Sequence, residues 1–167
     1  MIELIIAIVK EASSLVKDAK FDINAKSGNV NIVTSSDLLV QRYLHEKLSE
    51  LFPESGFYCE EEDLQEIGKE FVWVIDPIDG TMNYARAIPE SAISVALLQN
   101  NVPILGVVQN IFTGDVYTAV AGQGAKKNGM QIPYNRPSTI IAANNIENHK
   151  RLCEIVWKYL EKDPEDK

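Results

Sequence analysis

The stretch FVWVIDPIDGT, residues 71–81, joins the clearest strand signal of the chain to a closely spaced pair of aspartates. Residues 71–75 form a continuous apolar run, which is typical of a strand that is buried on both faces. Asp76 ends this predicted strand, Asp79 follows three residues later, and Gly80 and Thr81 then predict a turn that opens a helix. Because strand ends lie on a rigid scaffold, the sequence places these side chains where they can converge on a ligand.

The flanking patterns predict an α+β fold, in which layered helices pack on a mostly antiparallel sheet. Apolar residues recur at helical spacing over residues 2–18, and a second helix is predicted from Ser36 or Asp37 to just before Pro53. Residues 26–37 predict a loop or hairpin between the helices. Further strands, separated by Asn, Gly and Asp turns, are predicted over 56–61, 91–99, 102–112, 116–120 and 139–143, with a last helix over 147–161.

Composition narrows the class of protein. The 167 residues are 46% hydrophobic and 24% charged, which suits a globular protein with a useful core. A formal net charge of −8 argues against a nucleic-acid partner. No apolar run is long enough to span a bilayer, and the opening residues indicate an amphipathic helix and not a signal peptide, so no membrane partner is expected. Two cysteines without a Cys-x-x-Cys motif predict a reducing, cytoplasmic location.

Acidic residues stand at several predicted element ends: Asp37, the pair Glu60-Glu61, and the pair Asp76 and Asp79. Hard cations such as Mg²⁺ select oxygen ligands, and two neighbouring ions need one shared carboxylate and several private ones. Asp-Pro and Asp-Gly are also ordinary turn signals, so the segment by itself is compatible with a surface turn. The acidic residues upstream favour a metal site.

The turn after Asp79 predicts the second half of a site. Amides at a helix start attract a phosphate anion, which assigns Gly80 and Thr81 to phosphate binding. The Thr81 hydroxyl can hold a metal-bound water. Together these features predict hydrolysis of a small phosphate monoester.

Several motifs occur in a characteristic order: Lys26, Val33-Thr34 with Asp37, Glu60-Glu61, residues 76–81, Asn83, and GVVQNIFTGDVYTAVAGQGAKKNG over 106–129. In this order they resemble the inositol monophosphatase family of Mg²⁺-dependent, lithium-sensitive phosphatases. The resemblance covers nearly the whole chain. It implies the N-terminal portion of the family's αβαβα fold, and a homodimer, since relatives tend to be dimers.

The resemblance also implies a role for each matching residue. Glu60, Asp76 and the backbone carbonyl of Ile78 would hold a first metal, and Asp76 and Asp79 a second. Glu60 and Thr81 would orient the attacking water, and Asp37 would pair with Thr81 and tune it. The amides of Gly80 and Thr81 would contact phosphate. Glu61 would be an acid behind the metal ligands. Lys26 would lie near the outer edge of the metal site.

Two departures from the family pattern bear on domains and function. Asn31 stands where the family often has an aspartate, at a position that is not a metal ligand. The family's C-terminal α/β domain carries a Trp-Asp motif that completes the second metal site, and no Trp-Asp occurs in this sequence. We therefore predict an N-terminal α+β domain over 1–137 that carries the site, and the start of a truncated C-terminal domain over 138–167.

The substrate implied by the resemblance is inositol monophosphate or a related sugar or polyol phosphate. Asn83 and the short connection from Glu61 to Asp76 favour this class over relatives that cleave 3′-phosphonucleotides. A fructose bisphosphatase remains an alternative within the family. The alternative from another class is a catalytically weak or inactive remnant that acts as a metal-binding or interaction module.

Overall fold

The structure is a computed structural model that describes residues 1–17, 23–25, 32–61, 65–66 and 68–132. For residues 23–25 and 32–34 it describes the backbone alone. The predicted strand over 139–143 and helix over 147–161 lie outside the described residues. So do Lys26 and Asn31, and the domain boundary predicted at 137 stays a prediction.

Two long helices form one layer of the fold. Helix α1 spans Ile2–Val16 and helix α2 spans Ser35–Leu51, and the short antiparallel hairpin β1 (Ile23–Ala25) and β2 (Ile32–Thr34) lies between them in the chain. Each helix buries one stripe at helical spacing, which in α1 comprises Ile5, Val9, Ala12, Ser13 and Val16. Among the described residues, no helix combines the length and the apolar character that crossing a bilayer requires.

The second layer is a seven-stranded sheet in which neighbours in space are neighbours in the chain, from β3 to β9. Strand β3 pairs with β4 in parallel, and every other pair in this sheet is antiparallel. The strands are β3 (Gly56–Cys59), β4 (Phe71–Asp79), β5 (Ala92–Gln99), β6 (Val102–Asn110), β7 (Val116–Val120), β8 (Gly124–Lys127) and β9 (Met130–Gln131).

The main core lies between the helices and one face of this sheet. The pairing register sets Trp73 beside Leu97, and Leu97 beside Leu105, so one row of large side chains crosses three strands. Trp73 and Leu97 are fully buried, as are Leu44 and Leu48 of α2. Burial of apolar surface at roughly 25 cal/mol per Å² is the main force that holds the helices on the sheet.

The predicted fold class is confirmed, because helices pack on a mostly antiparallel sheet. Several predicted boundaries differ from the structure. Helix α2 begins at Ser35, one residue before the predicted start, and β3 ends at Cys59 although the prediction extended to residue 61. The strand predicted to end at Asp76 continues to Asp79, because a local irregularity lets β4 keep its pairing with β5 past Pro77.

Candidate active site

The end of β4 brings its two aspartates to one side of the sheet. Asp76 pairs with Ser94 of β5 and Asp79 pairs with Ala92, so three residue steps on β4 oppose two steps on β5. This is the count of a β-bulge, which tolerates Pro77 because proline cannot donate to the ladder. Residues two positions apart in a strand face the same side. The bulge therefore turns Asp76 and Asp79 toward the same side, which strict alternation would not do.

Asp76 is a buried acid of the site, with 7% of its surface exposed. Burial raises the pKa of its carboxyl well above the ordinary value. The pKa is raised further by the charges of Glu60 and Asp79, by a hydrogen bond with Glu60 and by the charge of Asp37. Three other carboxylates thus act on this one group. A charged carboxylate in such surroundings is costly unless a cation or a proton compensates it.

Thr81 links the bulge to helix α2. Its hydroxyl lies 3.2 Å from Oδ1 of Asp37 and 3.0 Å from the carbonyl oxygen of Ile78, and its single proton can be donated to one of them at a time. Asp37 lies in the first turn of α2 and is 1% exposed. The predicted pairing of Asp37 with Thr81 is therefore present in the described geometry. Donation to Asp37 leaves the Ile78 carbonyl available to another partner.

Gly80 makes the turn from β4 into the short helix α3, Thr81–Ala85. Its φ of +78° lies in the left-handed region that favours glycine, and a Cβ there would stand 2.8 Å from the carbonyl oxygen of Glu90. Asn83 holds the same carbonyl through its Nδ2 at 2.9 Å. The backbone after Glu90 therefore fits tightly against the turn, and the predicted helix start after Gly80 is confirmed.

Tyr84 fixes α3 to both long helices. Its hydroxyl donates to the Val16 carbonyl at 2.7 Å and lies 3.2 Å from the hydroxyl of Ser36, and its side chain is fully buried. Burial raises the pKa of the phenol, so it stays a neutral hydrogen-bond donor. The sequence did not reveal these hydrogen-bond partners, although a tyrosine four residues after the turn glycine was the available signal.

The two glutamates after β3 are held by their backbone. The Glu60 amide donates to the Ile75 carbonyl of β4 at 3.2 Å, and both backbone polar groups of Glu61 bond to the side chain of Gln41. The Glu60 side chain is exposed, as a group that meets solvent or a ligand needs to be. Cys59, next to it, is buried, and burial together with Glu66 raises the pKa of its thiol to about 12. Cys59 therefore acts as a small apolar core residue.

The donor chemistry fits a hard divalent cation, because Glu60, Asp76, Asp79 and the Ile78 carbonyl all offer oxygen. In the part of the chain that the structure describes, however, no group of three or more His, Cys, Asp or Glu side chains already stands close enough together to hold a metal ion. The charges that act on Asp76 show that three carboxylates lie near it, although they do not form a finished cage. The metal-ligand roles thus stay predictions, and Lys26 lies outside the described residues.

Known proteins of one family match most of this chain. The sequence profile of the inositol monophosphatase family matches residues 1–154. The chain belongs to the inositol monophosphatase family. The match covers both the described layers and the whole segment that carries the acidic residues.

Individual relatives agree with this membership. The chain is 28% identical over 149 residues to inositol monophosphatase 2 of Solanum lycopersicum, covering 85% of this chain and 56% of the relative. It is 30% identical over 142 residues to human inositol monophosphatase 1, covering 81% of this chain and 51% of the relative. The chain thus spans about half the length of these curated relatives.

Solved structures of the family share the fold. The IMPase of Thermotoga maritima superposes with a TM-score of 0.71 at 29% identity, over 78% of this chain and 52% of that one. An IMPase/NADP phosphatase whose structure holds Mg²⁺ and phosphate superposes with a TM-score of 0.73 at 26% identity, over 79% of this chain and 52% of that one. The two layers described above therefore correspond to about half of each of these chains.

Proposed function

We propose that this chain carries the metal- and phosphate-binding half of a phosphatase that hydrolyses inositol monophosphate or a related sugar or polyol phosphate. The observation that carries the proposal is the buried Asp76, on which the charges of Glu60, Asp79 and Asp37 act, beside a turn whose Thr81 hydroxyl lies 3.2 Å from Asp37. Family membership supports the reaction class, and the human relative's name supports the substrate class.

The residues that would hold Mg²⁺ are Glu60, Asp76 and the Ile78 carbonyl for a first ion, and Asp76 and Asp79 for a second. When bound, Mg²⁺ supplies an activated water and stabilises negative charge on the phosphate ester. Mg²⁺ would also explain why an acid is buried among other carboxylates. Those neighbours disfavour the ionised form of Asp76, and a bound cation offsets that cost.

The chain's own groups then position the water. With its proton donated to Asp37, the Thr81 hydroxyl offers its lone pairs to a water molecule and so orients that water's hydrogens. The exposed carboxylate of Glu60 accepts the proton that the water loses. The amides of Gly80 and Thr81, at the start of α3, receive the phosphate oxygens. In this proposal Glu61 supports the metal ligands from behind, and Lys26 stands at the outer edge of the metal site.

The rest of the proposal rests on the family. We place the protein in the cytoplasm as a homodimer that Li⁺ inhibits, with a small phosphorylated substrate and with neither nucleic acid nor membrane as a partner. One observation favours a second candidate function. Because only Asp76 and Asp79 of this chain are proposed to hold the second ion, the second candidate is a module that binds metal without turning over substrate.

A phosphatase assay with titrated Mg²⁺ tests both candidates. The 167-residue chain is offered inositol 1-phosphate, fructose 1,6-bisphosphate and a 3′-phosphonucleotide, with and without Li⁺. We expect Mg²⁺-dependent release of phosphate, fastest from inositol 1-phosphate, and its almost complete loss in Asp76→Asn. Glu50→Gln removes one carboxylate from the far end of α2, where Glu50 pairs with Lys47, and serves as the control.

The outcomes separate the candidates. Turnover in Asp76→Asn equal to that of the unaltered chain would refute the assignment of the metal ligands. Mg²⁺ binding by calorimetry without release of phosphate would leave the metal-binding module as the function. Faster release from one of the other two esters would replace the substrate class.

A further inference from the structure

Helix α2 contacts the candidate site at two points, and only the first of them was expected. Asp37 accepts a hydrogen bond from Thr81, and Gln41, one helical turn later, bonds to Glu61. Both side chains are buried, Gln41 with 2% of its surface exposed. A buried amide on the apolar side of a helix is unusual enough to need a reason, because burying it costs free energy unless it is fully bonded.

Gln41 bonds to both backbone groups of one residue. Its Nε2 donates to the Glu61 carbonyl at 2.7 Å, and the Glu61 amide donates to its Oε1 at 3.1 Å. Among side chains of this length, a neutral primary amide offers a donor and an acceptor side by side, whereas a carboxylate offers only acceptors and an ammonium only donors. The amide thus pairs with Glu61 as a neighbouring strand would, at the point where β3 has ended.

This pair of hydrogen bonds restrains the residue that carries the exposed carboxylate of the site. The Glu60 amide is tied to the Ile75 carbonyl on one side, and Glu61 is tied to Gln41 on the other. These hydrogen bonds on both sides restrain the Glu60 Cα relative to β4, which carries Asp76. Without Gln41, the chain after Glu60 would lose its two bonds to α2.

We propose that Gln41 is a positioning residue, which clamps the backbone of Glu61 to α2 and so sets Glu60 at a fixed distance from Asp76 and Thr81 for metal binding. The inference rests on the proposed function, because it needs Glu60 to be a metal ligand. It adds that α2 is the rigid element that aligns both sides of the site, Thr81 through Asp37 and Glu60 through Gln41. Removing such supporting hydrogen bonds typically weakens metal affinity about 10–100-fold.

The test compares Gln41→Met with Gln41→Asn in the 167-residue chain. Methionine keeps the length and removes the amide, while asparagine keeps the amide and is one methylene too short to reach Glu61. Mn²⁺ and Mg²⁺ affinities are measured by calorimetry, and the symmetry of bound Mn²⁺ by electron paramagnetic resonance. We expect both variants to bind about 10–100-fold more weakly than the unaltered chain, with a changed Mn²⁺ spectrum.

Leu48→Ala is the control for a purely structural effect. Leu48 lies on the same helix, is fully buried and belongs to the core, so its truncation destabilises the fold without touching the site. We expect this variant to melt at a lower temperature and to keep the Mn²⁺ affinity and spectrum of the unaltered chain. Thermal melting by circular dichroism establishes that every variant is folded before binding is measured.

Each result decides between the claims. If the unaltered chain and Gln41→Met bind Mn²⁺ with equal affinity, the positioning role is wrong and the proposed function stands. If Leu48→Ala loses as much affinity as Gln41→Met, the role of Gln41 is only structural. If the unaltered chain binds neither ion, the metal site itself is wrong, and the positioning role fails with it.

Discussion

Replacing Gly80 with alanine is expected to destabilise the chain by about 2–5 kcal/mol, through two separable costs. The residue has a φ of +78°, and left-handed backbone costs a residue with a Cβ roughly 1–2 kcal/mol. The new Cβ would also stand 2.8 Å from the Glu90 carbonyl oxygen, against 3.4 Å or more in ordinary contact. Backbone cannot rotate away as a side chain can, so we assign a further 1–3 kcal/mol or so to this overlap.

Gly114→Ala is the matched control. Gly114 has a φ of +74° and would place its Cβ in open space, with nothing within 4 Å, so it carries the backbone cost alone. Urea unfolding followed by circular dichroism gives the free energy of unfolding of both variants from their midpoints and slopes. The two should differ by about 1–3 kcal/mol, with Gly80→Ala the less stable.

The same substitution should also disturb the site. If Glu90 moves to relieve the overlap, its carbonyl leaves Asn83, and the first turn of α3 loses the contact that orients it. Phosphate affinity should therefore fall in Gly80→Ala and stay unchanged in Gly114→Ala. Equal destabilisation of the two variants would refute the reasoning, because it would mean that the Glu90 carbonyl does not restrict the turn.

Three further predictions concern the acids and the assembly. Burial, and then the charge of Glu60, raise the pKa of Asp76, so the folded chain retains a proton that the unfolded chain releases. In EDTA, which keeps the chain free of metal, the free energy of unfolding should therefore fall as pH rises from the ordinary carboxyl pKa through the raised one. Asp76→Asn should flatten that slope in urea unfolding, and an unchanged slope would contradict it. Calorimetry should show one Mg²⁺ site tighter than the other, since the second has only Asp76 and Asp79 from this chain; two equally tight sites would refute this. We also expect self-association through an edge of the seven-stranded sheet, because open edges favour pairing. A stable monomer in light scattering at high concentration would exclude it.

Local sequence patterns predicted most helices and strands, because the spacing of apolar residues follows the period of the element that buries them. The apolar run over residues 71–75 predicted a buried strand, and the apolar spacing of the first helix predicted α1 to within two residues of its observed end. The Asn100-Asn101 turn was predictable for the same reason, since residues that tolerate positive φ mark tight turns: φ is 50° at Asn100 and 62° at Asn101.

The acids of the site could also be found in the sequence. Asp37, Glu60, Asp76 and Asp79 were identified from an order that matched a known family, and the other three are the charges that act on Asp76; their roles at the site stay predictions. The hydrogen bonds of Gln41 and Tyr84 were not predicted, because a single glutamine on a helix and a single tyrosine after a turn carry no pattern that names a partner. Their partners are 20 and 68 residues away in the chain, so only packing reveals them.

The sequence alone determined that helices would pack on a mostly antiparallel sheet, and it predicted which carboxylates would serve one site. Only the tertiary structure decided how those carboxylates are aimed. Alternation along a strand would set Asp76 and Asp79 on opposite faces, and pairing with Ser94 and Ala92 puts them on the same face through a bulge. A bulge depends on which residues of the neighbouring strand are paired, and that register is fixed by the shared core of the helices and sheet, and not by the residues of β4 themselves.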